Sequence, residues 1–285
     1  MTLDRDQLMK GLSLVIPAFN EEEGISQVLQ EVAQLQASIA IPLEVIVVDD
    51  GSTDRTAELA RAQQAIVISH PVNLGYGASL KRGMLHASYD WIGMIDADGS
   101  YAVRDLARLV EHAERYDMLI GARQGKAYRS SLLKYPIRVL FRWLCAYVTG
   151  VPVPDPNSGC RIFRKAIALK HLDALSQGYS FTASLTMLYL LDGYLVGFMP
   201  IQYARRLGTS KVRWIRDTLR SSQILLEVIL VYNPLKAFLV FGFVPFAIGV
   251  LFLARALWVF AIMAGFAFLI WSLGGIAVLL SRRNR

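Results

Sequence analysis

The sequence predicts an α/β fold with a mostly parallel central sheet, followed at the C-terminus by two apolar helices of membrane-spanning length. Three observations support this reading. Short apolar runs alternate with helical patterns through the N-terminal half, several of those runs stop at acidic or glycine-containing loops, and the longest apolar stretches lie after Asn233. Near-continuous apolar strands that alternate with helices indicate a parallel sheet covered on both faces. In such sheets ligands bind beyond the carboxyl ends of the strands.

The elements follow in order. Residues 12–16 form an apolar run that stops at Pro17, and residues 21–35 carry a helical pattern. A second strand at 43–48 ends in Asp49, Asp50, Gly51 and Ser52, and a helix is expected at 53–62. Residues 65–69 read as a third strand and 77–86 as a helix; 91–95 read as a fourth strand, closed by Asp96-Ala97-Asp98. A helix at 103–113 and a fifth strand at 118–121 complete the regular part. Beyond Gly121 the expectations are a loop and short strand within 151–165, a strand at 196–203, a polar loop at 205–211 and an amphipathic helix at 214–231.

The runs 237–254 and 257–280 contain no charge, only Arg255 and Ala256 lie between them, and each is long enough as a helix to cross roughly 30 Å of hydrocarbon. Lys236 before them and Arg282, Arg283 and Arg285 after them place both termini and the N-terminal domain on the cytoplasmic side of the cytoplasmic membrane. The alternative is a buried hairpin of a soluble helical domain. The expected organisation is a domain at 1–213, a juxtamembrane helix at 214–234, two spanning helices at 235–281 and a basic tail at 282–285. No secretory leader is legible at the N-terminus, and Cys145 and Cys160 suggest neither a disulfide framework nor a zinc site.

Across 285 residues the formal charge is +7. Nucleic acid is not the expected partner, because the basic cluster at 126–142 is interleaved with Leu132, Leu133, Tyr135, Val139, Leu140, Trp143 and Leu144. That pattern makes segment 130–144 amphipathic and suits contact with membrane lipids, the alternative being an ordinary helix packed on the core.

Asp96-Ala97-Asp98 is the main chemical signal. Two carboxylates two residues apart in extended geometry converge, and they repel unless a cation or donors lie between them. Magnesium is commonly held by one or two carboxylates together with substrate phosphates. The alternative is a pair of solvated turn residues. Asp49-Asp50-Gly51-Ser52 ends a neighbouring strand and has its own reading as a helix cap and turn. There is no G-x-G-x-x-G after the first strand, no Walker loop and no G-x-S-x-G elbow, so hydride transfer, nucleotide hydrolysis by a P-loop and serine hydrolase chemistry lack support.

The stretches LSLVIPAFNEEEGI, VIVVDDGSTDRT, NLGYGASLKRG, MIDADGSY, DPNSGCRIFRK and RRLGTSKVR, in that order, resemble family 2 inverting glycosyltransferases of GT-A fold. The resemblance is particularly to the polyprenyl-phosphate branch, which includes dolichol-phosphate mannose synthases and undecaprenyl-phosphate glucosyltransferases. The resemblance implies a donor pocket of Pro17, Ala18, Asn20, Glu21, Asp50 and Asp96, and Mg2+ or Mn2+ on Asp98 with Asp96 beside it. It implies Asp155 as a catalytic carboxylate that orients the acceptor or takes its proton. Ser158, Arg161, Arg205, Ser210 and Lys211 match contacts to acceptor and donor phosphates.

The implied activity is metal-dependent transfer of a hexosyl-type group from a nucleotide-sugar, with a uridine diphosphate donor favoured, to undecaprenyl or dolichyl phosphate at the cytoplasmic membrane face. Two alternatives stand beside it: transfer to a hydroxyl of a membrane glycolipid or saccharide, and a non-catalytic subunit of a glycan-assembly complex. The sequence also allows a homo-oligomer. One departure from the family pattern is visible, since Tyr179-Ser180-Phe181 is followed by Thr182, Ala183 and Ser184 where many relatives carry an acid.

Overall fold

The structure is a computed structural model that describes residues 9–125, 134–204, 206, 234–252 and 257–283. The chain divides into two compact units, Met1–Ser221 and Ser222–Arg285.

In the first unit the regular alternation is present: β1 (Leu12–Ala18), α1 (Ile25–Ser38), β2 (Leu43–Asp49), α2 (Thr56–Ala62), β3 (Ile66–Ser69), α3 (Tyr76–His86), β4 (Trp91–Met94), α4 (Val103–Ala113) and β5 (Met118–Gln124). There follow α5 (Lys134–Thr149), β6 (Arg161–Arg164), α6 (Lys165–Lys170), α7 (Phe181–Leu191) and β7 (Val196–Gln202). The strands form one sheet in the order β3-β2-β1-β4-β6-β5-β7. The pairs β1–β2, β1–β4, β2–β3 and β5–β7 are parallel, whereas β6 runs antiparallel to both β4 and β5. The sheet is therefore mixed.

Every residue of β1 is buried, as expected for a strand covered on both faces. Pro17 does not end it. Pro17 still registers against Val48 of β2, while β4 pairs only with residues 12–15, so the missing N–H is accommodated where the strand has a single neighbour. On one face Leu14, Ile16, Val28, Leu29 and Leu106 join a core that brings α1 and α4 against the sheet. On α5, Cys145 and Val148 are buried, but Tyr135, Val139, Leu140 and Trp143 of the amphipathic segment are exposed; residues 130–133 of that segment lie outside the described residues.

The second unit contains α8 (Pro234–Phe252) and α9 (Leu257–Arg283). They pair in opposite directions: a Cβ on Gly242 would meet Trp271, on Gly249 Met263, and on Gly274 Phe238. The ring of Phe246 lies 6.4 Å from that of Phe260 and 6.0 Å from that of Trp271.

The spanning pair expected at 235–281 is corrected here, because among the described residues no helix is long and apolar enough to cross a membrane. Lys236 lies near the start of α8 and Pro245 inside it. Both helices also direct part of their aromatic surface at each other. The integral placement in a cytoplasmic membrane, with domain and termini on its cytoplasmic side, has no support from these helices. Of the juxtamembrane helix expected at 214–234, residues 214–233 lie outside the described residues.

Candidate functional site

Strand direction decides which residues meet. Ala18, Asp49 and the turn after β4 open at one edge because β1, β2 and β4 are parallel neighbours. In antiparallel β6, Arg161 lies opposite Met94 and Ile120, so the segment preceding β6 reaches that same edge. Asp155 and Ser158 arrive there in this way, and Arg123 arrives at the carboxyl end of β5.

The two carboxylates of the Asp-x-Asp segment sit in a turn, since β4 ends at Met94. Asp98 is 6% exposed. Its Oδ1 accepts from the Ser100 amide at 3.0 Å and the Ser100 hydroxyl at 2.5 Å, while Oδ2 faces Arg206 Nη2 at 3.5 Å. Asp96 accepts at Oδ1 from the Tyr76 hydroxyl at 2.8 Å, and the Tyr76 ring stacks on Tyr179 at 5.5 Å. Asp96 keeps partial solvent exposure at residue level, yet its carboxyl lies deep enough that desolvation, followed by the neighbouring Asp98 charge, raises its pKa to about 7. The protein's own donors leave this pair short of positive charge.

That shortage fits a divalent ion. Among the described residues no group of three or more His, Cys, Asp or Glu side chains is arranged to hold a metal. The two carboxylates would therefore provide part of a shell that ligand phosphates complete, which is the usual mode for magnesium. Gly159 makes room for this arrangement: a Cβ there would lie 2.7 Å from both Asp96 carboxylate oxygens. Gly159→Ala is expected to keep the fold and displace Asp96. Activity should fall by roughly tenfold to 10²-fold, as for other small misplacements of reacting groups, and turnover measured alongside a melting curve checks it.

The neighbouring loops are stitched into one wall. Asn20, at φ 51°, donates from its amide to Ser52 Oγ at 2.9 Å and accepts at Oδ1 from the Thr53 amide at 2.8 Å. The Glu21 amide donates to Thr56 Oγ1 at 2.8 Å. Pro17 and Ala18 are the end of β1, and the Ala18 carbonyl accepts from the Asp50 amide at 2.8 Å. Asp50 is engaged by protein groups on both oxygens: His70 Nδ1 at 2.8 Å, the Leu74 amide at 2.9 Å and the Gly75 amide at 2.8 Å. It shapes the loop that carries Tyr76.

On the other side, Asp155 is 2% exposed and accepts from Arg123 three times: Nε at 2.7 Å, Nη2 at 2.9 Å and the amide at 3.0 Å. Burial alone raises this carboxyl, but the charge and hydrogen bonds of Arg123 outweigh burial and hold it below its ordinary value. The Arg123 guanidinium lies 5.4 Å from the centre of the Tyr203 ring, which meets Tyr101 edge-on; the Tyr101 hydroxyl accepts from the Gly159 amide at 2.8 Å. A continuous set of contacts thus joins Asp155 to the Asp96 turn.

Ser158 and Arg161 are fully buried. Arg161 donates to the Pro156, Ser158 and Thr182 carbonyls and to Thr186 Oγ1, so its guanidinium fastens the 155–161 turn to α7. These contacts give it a structural role, beside which the phosphate contact implied by the family resemblance stands as an expectation. Arg205, Ser210 and Lys211 lie outside the described residues. Sequence reasoning missed Arg123 and Arg206. The former was signalled only by a basic residue just after the apolar run 118–121, the latter only by its adjacency to Arg205.

A model of the family described as "Glycosyl transferase family 2" matches residues 13–172. The chain is 32% identical over 252 residues to a "Low-salt glycan biosynthesis hexosyltransferase Agl6" of Haloferax volcanii, covering 86% of this chain and 59% of that one. An undecaprenyl-phosphate 4-deoxy-4-formamido-L-arabinose transferase of Klebsiella pneumoniae is 27% identical, with 86% of this chain and 75% of the relative covered. Among solved structures, glucosyl-3-phosphoglycerate synthase of Mycobacterium tuberculosis with uridine diphosphate superposes with a TM-score of 0.62 at 22% identity, covering 77% of this chain and 80% of that one. This likeness establishes the GT-A fold.

Proposed function

The chain belongs to glycosyl transferase family 2, and on that premise we propose that it transfers a sugar, with inversion, from a nucleoside-diphosphate donor to a hydroxyl of a saccharide or glycolipid. The observation that carries the proposal is the undercharged Asp96–Asp98 turn, which lies at the ligand-binding edge of the sheet. The reading expected from the family resemblance, transfer to a polyprenyl phosphate at a cytoplasmic membrane face, is corrected, because among the described residues no helix is long and apolar enough to supply the membrane placement it included.

A divalent ion held by Asp98 and Asp96 and completed by the donor phosphates would offset the charge developing on the departing nucleoside diphosphate. Tyr76 fixes the orientation of Asp96, and the stitched loops at 17–21 and 49–56 form the donor wall. Asp50 supports this wall through its hold on the 70–75 loop. Incubating the full chain with uridine and guanosine diphosphate sugars and a panel of saccharide acceptors, with product masses as readout, tests the reading. Failure to consume any donor would overturn it.

Asp155 acts in this proposal by positioning Arg123, since a carboxyl held below its ordinary value by a guanidinium is a weak base. Asp155→Asn is accordingly expected to lower turnover by a similar factor at pH 6 and pH 8. It should also cost about 2 kcal/mol of stability at neutral pH, less than a fully buried pair because Arg123 retains some exposure. The sign follows from the depressed folded-state value. The charged Asp155 contributes fully above its unfolded pKa of about 3.9, and that contribution is lost as pH falls through the lower folded value. Melting curves of wild type and variant should therefore converge only on strong acidification.

A further inference from the structure

Arg206 lies far from the acidic turn in sequence and against it in space. Its Nη2 is 2.9 Å from Glu21 Oε1 and 3.5 Å from Asp98 Oδ2. Oδ1 of Asp98 is already taken by both donors of Ser100, so Oδ2 is the oxygen that faces outward to a cation. One guanidinium thus faces the Asp98 oxygen that a divalent ion would use.

Its hold is incomplete. The 3.5 Å separation is beyond ordinary charge-assisted hydrogen-bond length, and Nε is buried without a hydrogen-bond partner among the described residues. A donor left unmatched in this way carries a desolvation cost that another position of the side chain can relieve. By contrast Arg123 and Arg161 are held by several short contacts, which suits fixed parts of the fold.

We propose that Arg206 is a placeholder cation: in the ligand-free protein its guanidinium occupies Glu21 and Asp98 Oδ2, and a divalent ion binds by displacing it from Asp98. This rests on the metal-binding role given above to Asp98. No bond is made or broken; one cation is exchanged for another, and the site avoids leaving two adjacent carboxylates unsupported before the donor arrives. The displaced guanidinium keeps its anchor on Glu21, at the loop that forms the donor wall. Divalent-ion binding without nucleotide is consequently weakened by the exchange, and a nucleoside diphosphate, which offers the released guanidinium a new anionic partner, strengthens it.

The test measures Mn2+ binding to the full chain in the absence of nucleotide, by calorimetry and by the paramagnetic resonance signal of unbound Mn2+. In Arg206→Ala, and independently in Arg206→Gln, affinity for Mn2+ is expected to rise roughly three- to tenfold, the range of a partly exposed ion pair. Millimolar guanidinium chloride should reverse the gain more than sodium chloride of equal ionic strength, which separates occupation of the site from a general change in field. Unchanged or weaker Mn2+ binding in both folded variants would overturn the placeholder, as would equal effects of the two salts. The double variant Asp98→Asn with Arg206→Ala distinguishes the underlying reading: if it keeps the gain, Mn2+ is held elsewhere and the metal role of Asp98 fails first.

Discussion

Asp98→Asn is expected to abolish sugar transfer, with a loss of at least about 10³-fold, and to remove the dependence of donor binding on a divalent ion. The substitution keeps the size of the side chain and an oxygen for the Ser100 amide, so the turn should survive. What disappears is the negative charge at the position facing Arg206. Donor turnover, calorimetric titration of uridine diphosphate with and without Mn2+, and a circular dichroism spectrum would be measured together. Unimpaired transfer by a folded variant would remove the metal assignment. A variant that loses the ion but transfers normally would place the supporting charge on the protein's own cations.

Arg161→Met should produce the largest stability loss. Arg161 is 0% exposed, and burial pushes its guanidinium down to about 10 despite the opposing influence of Tyr76 and Asp155. Methionine fills much of the volume but leaves the Pro156, Ser158 and Thr182 carbonyls and Thr186 Oγ1 without this donor. The expected cost is about 3–5 kcal/mol, which for a domain of this size lowers the melting temperature by roughly 10 °C. Arg161→Lys should recover little, because an ammonium cannot present the same planar fork. A normal melting temperature combined with a raised acceptor KM would instead restore a phosphate-binding role to this residue.

Arg161 shows what sequence patterns conceal. DPNSGCRIFRK reads as a loop and a short strand, and the family resemblance implies a ligand contact for Arg161. Its burial depends on α7, whose Thr182 and Thr186 supply acceptors. The antiparallel β6 was equally hidden, because a four-residue strand carries no mark of its direction. Yet that direction is what brings Asp155 to the edge where β1, β2 and β4 end.

Local patterns were more informative where one element accounts for them. The central strands β1 and β4 follow apolar runs that burial on both faces requires, and the boundaries of the strands from Leu12 to Gln124 differ from expectation by a few residues. The turn at Asp96 was legible because acidic residues end a buried strand. Hydrophobicity alone failed at the C-terminus, where apolar side chains suit a partner helix as well as lipid; α8 and α9 use some of them on each other.

By itself, then, the sequence determined the order of strands and helices, the location of the paired carboxylates and the family, since each is written in residues close together along the chain. Tertiary structure alone decided that Asp155 is bound to Arg123, that Arg161 is interior, and that Arg206 reaches Asp98 and Glu21. The physical reason is range: periodicity reports the faces of one element, whereas the charge balance of a buried site depends on residues that only strand pairing and packing bring within a few ångströms.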